Sequence, residues 1–578
     1  MKEFFSAIAT FFQTDGVQTA SVFASIWRYA APILALLLLW RCAKPLLRFR
    51  REPEIWAWLT MPDGDRLPVT HWENLIGRAK SCDIVVSFPT VSRNHAVLTR
   101  YDDGSWSVTD IGSRGSVFVN GEQTELAAVE YGDTICLGGV DMVLTAVTHE
   151  ELEDQLYTRT RPQNMASPTL TLLLLTVFQL CTVFRFWTCT APEQAATVVL
   201  SFATLLAVQW LLFAVLRLMR RSGYEMETLA FFLSTIGLAV IASSDVAELP
   251  KQLVALIGGV VIYLVIGWSL RDLSRAKKFR YVAAVGGLVL LAANLVLGQE
   301  LNGAKNWIMI GSISFQPSEL VKLCFIYVGA STMDRIVTKR NLILFIAYSA
   351  AICGCLALMN DFGTALIFFV AFLVIAYLRS GSFATITLAC AATGFAGIMA
   401  VRFRPHILSR FATWGHAWEY ALSGGYQQTR AMMCIASGGF LGLGAGQGWL
   451  KYVAAADTDL VFAFVCEEWG LILGLTMAAA IVILGIFVMR SAAVGRSSFY
   501  TIGACAAIAI LMIQTILNVF GTMDLLPLTG VTFPFVSNGG SSMLSSWGLL
   551  AFLKAADTRQ NASFAVRTAK AQEVEAYE

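Results

Sequence analysis

The chain has 578 residues, 56% hydrophobic and 14% charged, with a mean hydropathy of +0.63. Soluble domains sit near about 45–50% apolar and 25% charged, so the composition excludes a soluble globular protein and indicates a polytopic membrane protein. A net charge of +2 gives no basis for nucleic-acid binding, and twelve scattered cysteines with five histidines give neither a disulfide framework nor a zinc site.

The first apolar run ends in ILALLLLW (33–40) and is followed at once by RCAKPLLRFRRE. A cleaved leader carries its basic residues before the run and small residues after it. Here the order is reversed, which predicts a retained helix over about 21–41, interrupted by Arg28. Its basic side is expected in the cytoplasm and the amino terminus outside. Residues 1–51 thus form an N-terminal segment with one transmembrane helix. Over 52–148, short alternating segments such as SWSVTDI and MVLTAV are split by turn signals at PDGD, DDG, VNGE and YGD, the pattern of an all-β domain. A linker over 149–166 runs from an acidic, helix-compatible stretch into basic residues beside the membrane.

Apolar runs then recur near 167–187, 195–218, 226–244, 250–270, 279–298, 315–334, 341–359, 362–379, 384–402, 459–489, 499–521 and 537–554. Each is long enough, or nearly so, to cross a bilayer. The basic segments RLMRRSG, RDLSRAKKFR, MDRIVTKRN, LRSG, MRSAAVGRSS and KAADTRQ all fall on the side of the β domain. The positive-inside rule is met at every turn, so 13 transmembrane helices are expected, with a cytoplasmic tail over 557–578. Three outer loops remain: GQELNGAKNWIMIGSISFQPSE, residues 403–458, and GTMDLLPLTGVTFPFVSNGGSS.

Within the β domain, LIGRAKSCDIVVSFPTVSRNHAVL is followed by WSVTDIGSRGSVFVNG. Arg78, Ser92 and Arg93 offer two guanidinium forks and a hydroxyl on separate loops, donors that suit a phosphate dianion. Read without a motif, they are also ordinary surface residues, with Gly77 and Gly121 as turn formers. The GR, SRxH and NG pattern resembles a forkhead-associated (FHA) domain, a phosphothreonine reader. The resemblance implies that Arg78 and Ser92 bind the phosphate, that Arg93 assists and that His95 braces the loop. Where that family has an asparagine for the ligand backbone, this chain has Arg114. The implied partner is a phosphothreonine-containing cytoplasmic protein.

In the membrane part, AAADTDLVFAFVCEEWG (454–470) sets Asp457 and Asp459 at the mouth of an apolar run and Glu467 and Glu468 inside it. An acid at the centre of a membrane helix costs about 2.5–3.5 kcal/mol, so such residues face a cavity or a polar partner. NGAKNWI, QPSELVKL, DFGTA, GGYQ, DTDLVFAFVCEEWG and LPLTGVTFPFVSNGGSS follow in that order, at outer loops or their borders. Together they resemble the SEDS family (shape, elongation, division and sporulation) over residues 226–556, after two extra helices in 167–225. That resemblance implies polymerisation of lipid II into an undecaprenyl-pyrophosphate-linked glycan on the outer face of the bacterial cytoplasmic membrane. It also implies a class B penicillin-binding protein as partner.

Glycosyl transfer from a lipid pyrophosphate needs a base for the acceptor hydroxyl and positive charge or a metal on the leaving group; magnesium or manganese is the expected ion. Asp459 is the candidate base and a candidate cation ligand. Its carboxyl, near 3.9 when free, would be raised by partial burial and by Asp457. The resemblance makes it the family's essential aspartate; the structural alternative is that Thr458 or Asp457 caps the helix and Asp459 simply suits its positive end. Glu467 and Glu468 cannot both share its face, and structural or gating roles are expected for them. Candidate substrate contacts are Lys305, Trp307, Lys322, Arg410, Tyr426, Gln427, Ser541 and Ser542. For Lys322 an ion pair with Glu319, one turn away, is equally open; for Asp361, capping and catalysis are both open. Asn306 and Asn538 replace residue types frequent in the family. A lipid II flippase and a non-catalytic scaffold of the wall machinery are the competing functions. The fold expected is a polytopic α-helical membrane bundle carrying a cytoplasmic all-β sandwich.

Overall fold

A computed structural model describes residues 2–14, 16–48, 53–80, 82–101, 104–160, 167–221, 223–301, 304–311, 313–333, 339–380, 383–403, 412–495, 497–559 and 562–565. Two bodies follow from the two sequence patterns.

The alternating segments include the strands β1 (Ala57–Thr60), β2 (Arg66–Val69), β4 (Ile84–Val85), β6 (Trp106–Asp110), β8 (Glu122–Thr124) and β9 (Leu126–Val129), and they fold as a sandwich of a six-stranded sheet on a five-stranded one. The strands that matter below are β3 (Glu73–Gly77), β5 (Ala96–Arg100), β7 (Val117–Val119) and β11 (Val140–Thr145). Alternation sends Leu59, Ile76, Leu98, Val108, Ile135 and Leu144 into one shared core. In the turn before β10 (Thr134–Leu137), hydrogen bonds from the Glu130 amide and the Asn120 side chain hold the Asp133 carboxyl below its ordinary range.

The apolar runs fold as helices. In chain order these are α1 (Lys2–Thr14), α2 (Val17–Arg48), α3 (His149–Thr160), α4 (Pro168–Cys189), α5 (Pro192–Leu218), α6 (Glu225–Ser244), α7 (Leu249–Leu270) and α8 (Leu273–Leu297). They continue as α9 (Pro317–Met333), α10 (Lys339–Leu358), α11 (Phe362–Ser380), α12 (Phe383–Phe403), α13 (Tyr426–Gly438), α14 (Val461–Trp469), α15 (Leu471–Ala492), α16 (Ser498–Thr522) and α17 (Gly540–Ala555). Among the described residues eight helices are long and apolar enough to cross a membrane, and Ile343–Leu358 and Phe362–Leu378 are apolar but shorter. Helix α6 is buried over 94% of its apolar window, the largest share among these spans.

Three features differ from the sequence expectation. Residues 2–14 form a helix of their own, whose Phe5 and Phe12 rings pack on Trp187 and Phe184. The first outer loop is a small sheet of β12 (Gln299–Leu301), β13 (Ala304–Ile310) and β14 (Ile313–Phe315). The run at 459–489 is two helices, not one: it breaks at Gly470, whose φ of 88° is open to glycine and strained for other residues.

The sandwich is seated on the turn between α15 and α16. Glu73 accepts from the Ser497 and Ser498 hydroxyls at 3.1 Å each and from the Ser498 amide at 3.2 Å, and Trp72 packs edge-on against Tyr500. This defines a sandwich end of the bundle. Buried ion pairs hold the chain after α17 at the same end, with Lys554 on Glu227 and Arg559 on Asp557 and Glu225. The opposite, far end carries the three-stranded sheet, the segment before α14 and the loop between α16 and α17.

At the far end the glycine-rich run SGGFLGLGAGQG lies flush against the end of α14. A Cβ on Gly438 would stand 2.1 Å from the Cys466 carbonyl oxygen and 2.7 Å from Glu467 Cα. Backbone cannot yield as a side chain can, so Gly438→Ala is expected to destabilise the protein by about 3 kcal/mol, read as a lowered melting point in detergent. An unchanged melting point would contradict this contact.

Candidate functional site

The six far-end motifs of the sequence join one hydrogen-bonded assembly. Asp361, opening α11, accepts from the Thr364 amide at 3.1 Å, from Asn306 Nδ2 at 3.0 Å and from Gln316 Nε2 at 3.4 Å. It therefore caps its helix and ties the three-stranded sheet down at once. The Gln316 amide donates to Ser541 Oγ at 2.9 Å, and Ser542 and Thr532 share a 2.8 Å hydroxyl contact. The chain leading into α14 is held from two sides. Ser537 Oγ donates to the Thr458 carbonyl at 2.6 Å, and the Asn538 amide and Nδ2 each reach Asp457 at 2.8 Å. Gln427 Nε2 donates to the Ala454 carbonyl at 2.8 Å.

Asp459 stands in this held segment, one residue before the cap position Leu460, and is half-buried. Leu460, not Thr458 or Asp457, occupies the cap position of α14 and makes no side-chain cap bond. Asn518 of α16 donates to the Asp459 carbonyl at 3.0 Å and to the Val531 carbonyl at 2.9 Å, fixing the backbone that presents the carboxylate. That carboxylate lies against Gly530, 3.3 Å from where a Cβ would stand. A side chain on residue 530 would crowd it.

Glu467 and Glu468 sit on α14 but work away from Asp459. Glu467 accepts from the Trp449 and Leu450 amides at 2.9 Å each. Glu468 accepts from the Gly446 amide at 2.9 Å, the Gly448 amide at 3.2 Å and the Ser243 hydroxyl of α6. Both are structural: they replace water as partners for backbone that has left the helix inside the bundle.

The remaining expected contacts divide. Lys305 is half-buried on β13 and donates to the Leu295 carbonyl at 2.8 Å, while Trp307 is half-buried opposite Gln299. Tyr426 is exposed, its ring under the Arg430 guanidinium at 5.1 Å, and Gln427 braces the Asp459 segment. Lys322 is a correction: it is fully buried on α9, 2.6 Å from Glu319, whose other oxygen accepts from Ser545. No solvent reaches it, so it pairs rather than receives substrate. Ser541 and Ser542 are also buried and shape the loop. Arg410 lies outside the described residues. Sequence reasoning missed Asn518, Gly530 and Ser243; a lone asparagine in the run 499–521 was the available signal for the first.

In the sandwich, the loops before β5 and β7 and after β3 converge. The Arg78 amide donates to the Ser92 carbonyl and the Ala79 amide to the Arg93 carbonyl, each at 3.0 Å. Ser92 Oγ accepts from the Arg114 amide at 3.1 Å. Buried His95 bridges the Ser92 amide and the Ser116 carbonyl, so it braces the loops as expected. The side chains of Arg78, Arg93 and Arg114 are exposed around the Ser92 hydroxyl's loop.

The model of cell cycle proteins of the FtsW/RodA/SpoVE type matches residues 209–562, and the FHA domain model matches residues 74–138. The chain belongs to the FtsW/RodA/SpoVE family. It is 30% identical over 326 residues to a Mycobacterium tuberculosis protein named peptidoglycan glycosyltransferase RodA, covering 52% of this chain and 69% of that one. It is 31% identical over 339 residues to the probable peptidoglycan glycosyltransferase FtsW of Bacillus subtilis, covering 52% and 79%. A Thermus thermophilus RodA crystal structure aligns at 23% identity with a TM-score of 0.42, over 57% of this chain and 94% of that one. The family match begins inside α5, so α2 and α4 lie outside it.

The structural assignment of Lys322 is testable. Lys322→Met should destabilise by about 3–5 kcal/mol, because it strands a buried Glu319 charge, and Glu319→Gln added to it should recover much of that loss. Thermal denaturation of the single and double variants decides; equal stability of wild type and Lys322→Met would contradict the buried pair.

Proposed function

We propose that this chain is a peptidoglycan glycosyltransferase that polymerises lipid II on the outer face of the cytoplasmic membrane. The observation that carries the reading is Asp459: a half-buried carboxylate at the far end of the bundle, on backbone held by Asn518, in a chain of this family. A sugar hydroxyl approaching from water meets Asp459 while its lipid stays in the bilayer. Asp459 takes the proton as the hydroxyl attacks the anomeric carbon, and the bond to the pyrophosphate breaks. Lys305, the cation of the three-stranded sheet, offers positive charge to that leaving group. A divalent ion shared between the Asp459 carboxylate and the substrate phosphates is part of this proposal. Such a magnesium or manganese ion, when bound, would neutralise charge on the pyrophosphate.

With the basic segments inside, the sandwich and the C-terminus are cytoplasmic and the amino terminus is outside. The sandwich then meets phosphothreonine made by a cytoplasmic kinase, with Arg78, Ser92 and Arg93 on the phosphate and Arg114 in place of the usual asparagine. A class B penicillin-binding protein would cross-link the strands that this chain makes.

Two measurements check the reading. Purified protein given lipid II and a divalent cation should yield glycan polymer, and Asp459→Asn should lower the rate by at least about 100-fold; polymer at the wild-type rate would exclude the assigned role. Arg78→Ala should weaken binding of a phosphothreonine peptide by at least about tenfold, measured by calorimetry on the full chain. An unchanged affinity would reject the phosphate assignment.

A further inference from the structure

We propose that Arg28 and Arg185 form a binding site for the phosphate-bearing headgroup of an anionic membrane lipid, on the flank of the bundle made by α2 and α4. These helices run antiparallel. Arg41 Nε meets Thr171 Oγ1 at 3.4 Å near one end, and the Phe23 and Phe184 rings meet at 4.6 Å near the other. Arg28 lies opposite the turn of α4 that precedes Arg185, and both side chains line one small cleft together with Trp27, Trp469, Gly444 and Glu468. Arg185 is only 7% exposed, yet among the described residues no carboxylate lies within ion-pair distance of its guanidinium and no acceptor receives its N–H groups. Glu468, the acid of the cleft, already holds Gly446, Gly448 and Ser243.

An arginine within a span costs about 2.5–3.5 kcal/mol on insertion scales, and two on one cleft without a carboxylate partner call for an anion. Guanidinium forks match phosphate oxygens, which accept two parallel hydrogen bonds. The depth suits a headgroup, because Arg185 stands just before the last turn of α4, which ends at the far end of the bundle. The wall of the cleft is aromatic: Trp27 and Trp469 line it and pack on each other at 6.5 Å, with Trp27 backed by Phe178 at 5.3 Å. Arg28 is exposed at the mouth, where a lipid arrives sideways from the bilayer. The site rests on the membrane reading alone, and its two arginines take no part in the Asp459 assembly, although Glu468 of the clamp below that segment forms one wall.

The test uses the full chain purified in a zwitterionic detergent, with native mass spectrometry reading retained lipid. Phosphatidylglycerol should be held as one molecule per chain, at least about tenfold more tightly than phosphatidylcholine of the same acyl length. Arg28→Gln and Arg185→Gln should each lower that retention by about tenfold or more, while Arg185→Lys, a point charge in place of the fork, should fall between Arg185→Gln and wild type. If Arg185→Gln does not fold, Arg28→Gln decides, since its side chain is exposed. Millimolar inorganic phosphate should fail to displace the lipid; displacement would mark a free-anion site and overturn the lipid assignment. Equal retention of the two lipids, or retention unaffected by Arg28→Gln, would also overturn it. None of these readings depends on glycan synthesis.

Discussion

Main chain that leaves a helix inside a bilayer has no water to turn to, and the far end of this bundle is built around that constraint. Between α13 and α14 the chain crosses the bundle as glycine-rich coil. Glu467 and Glu468 receive four of its amide hydrogens, at Gly446, Gly448, Trp449 and Leu450. Small residues let the coil lie against α14, and the acids keep it there. Through this clamp the segment 454–460 enters at one fixed angle, and with it Asp459. Two carboxylates that cannot be left bare in the membrane thus support a third that can meet water.

The same division runs through the polar residues of the outer loops. Asp361, Gln316, Asn306, Ser541, Ser537, Asn538 and Gln427 bind one another or nearby backbone. They form a frame, and a frame is what electrostatic catalysis needs: groups that do not reorganise as charge develops. Asn538 shows how the frame tolerates change. It meets Asp457 through both its amide and its side chain, so the segment is tied there.

The division between legible and illegible follows the range of the interactions. Strand alternation and span length are local, and the sandwich and the apolar helices could be placed from them. Arg78, Ser92 and His95 were legible because their loops hang on a fixed β scaffold. The break at Gly470 was not, because the run 459–489 is uniformly apolar and the reason for the bend, the coil packed beneath it, comes from thirty residues upstream. Lys322 was legible only as two alternatives; the choice depended on Ser545, which completes the shell around Glu319 from a distant helix. Asn518 and Ser243 act across the bundle on backbone and carboxylate that local pattern cannot pair with them.

Helix α16 starts under the sandwich at Ser498 and is unbroken for 25 residues, about 37 Å at 1.5 Å per residue. Its last turns carry Asn518, the residue that holds Asp459 by its carbonyl. A phosphoryl charge captured by the sandwich loops is screened within about 10 Å of salt water, so its field dies out far short of the carboxylate. Any message from the reader to the polymerising end must therefore travel as displacement of a stiff rod.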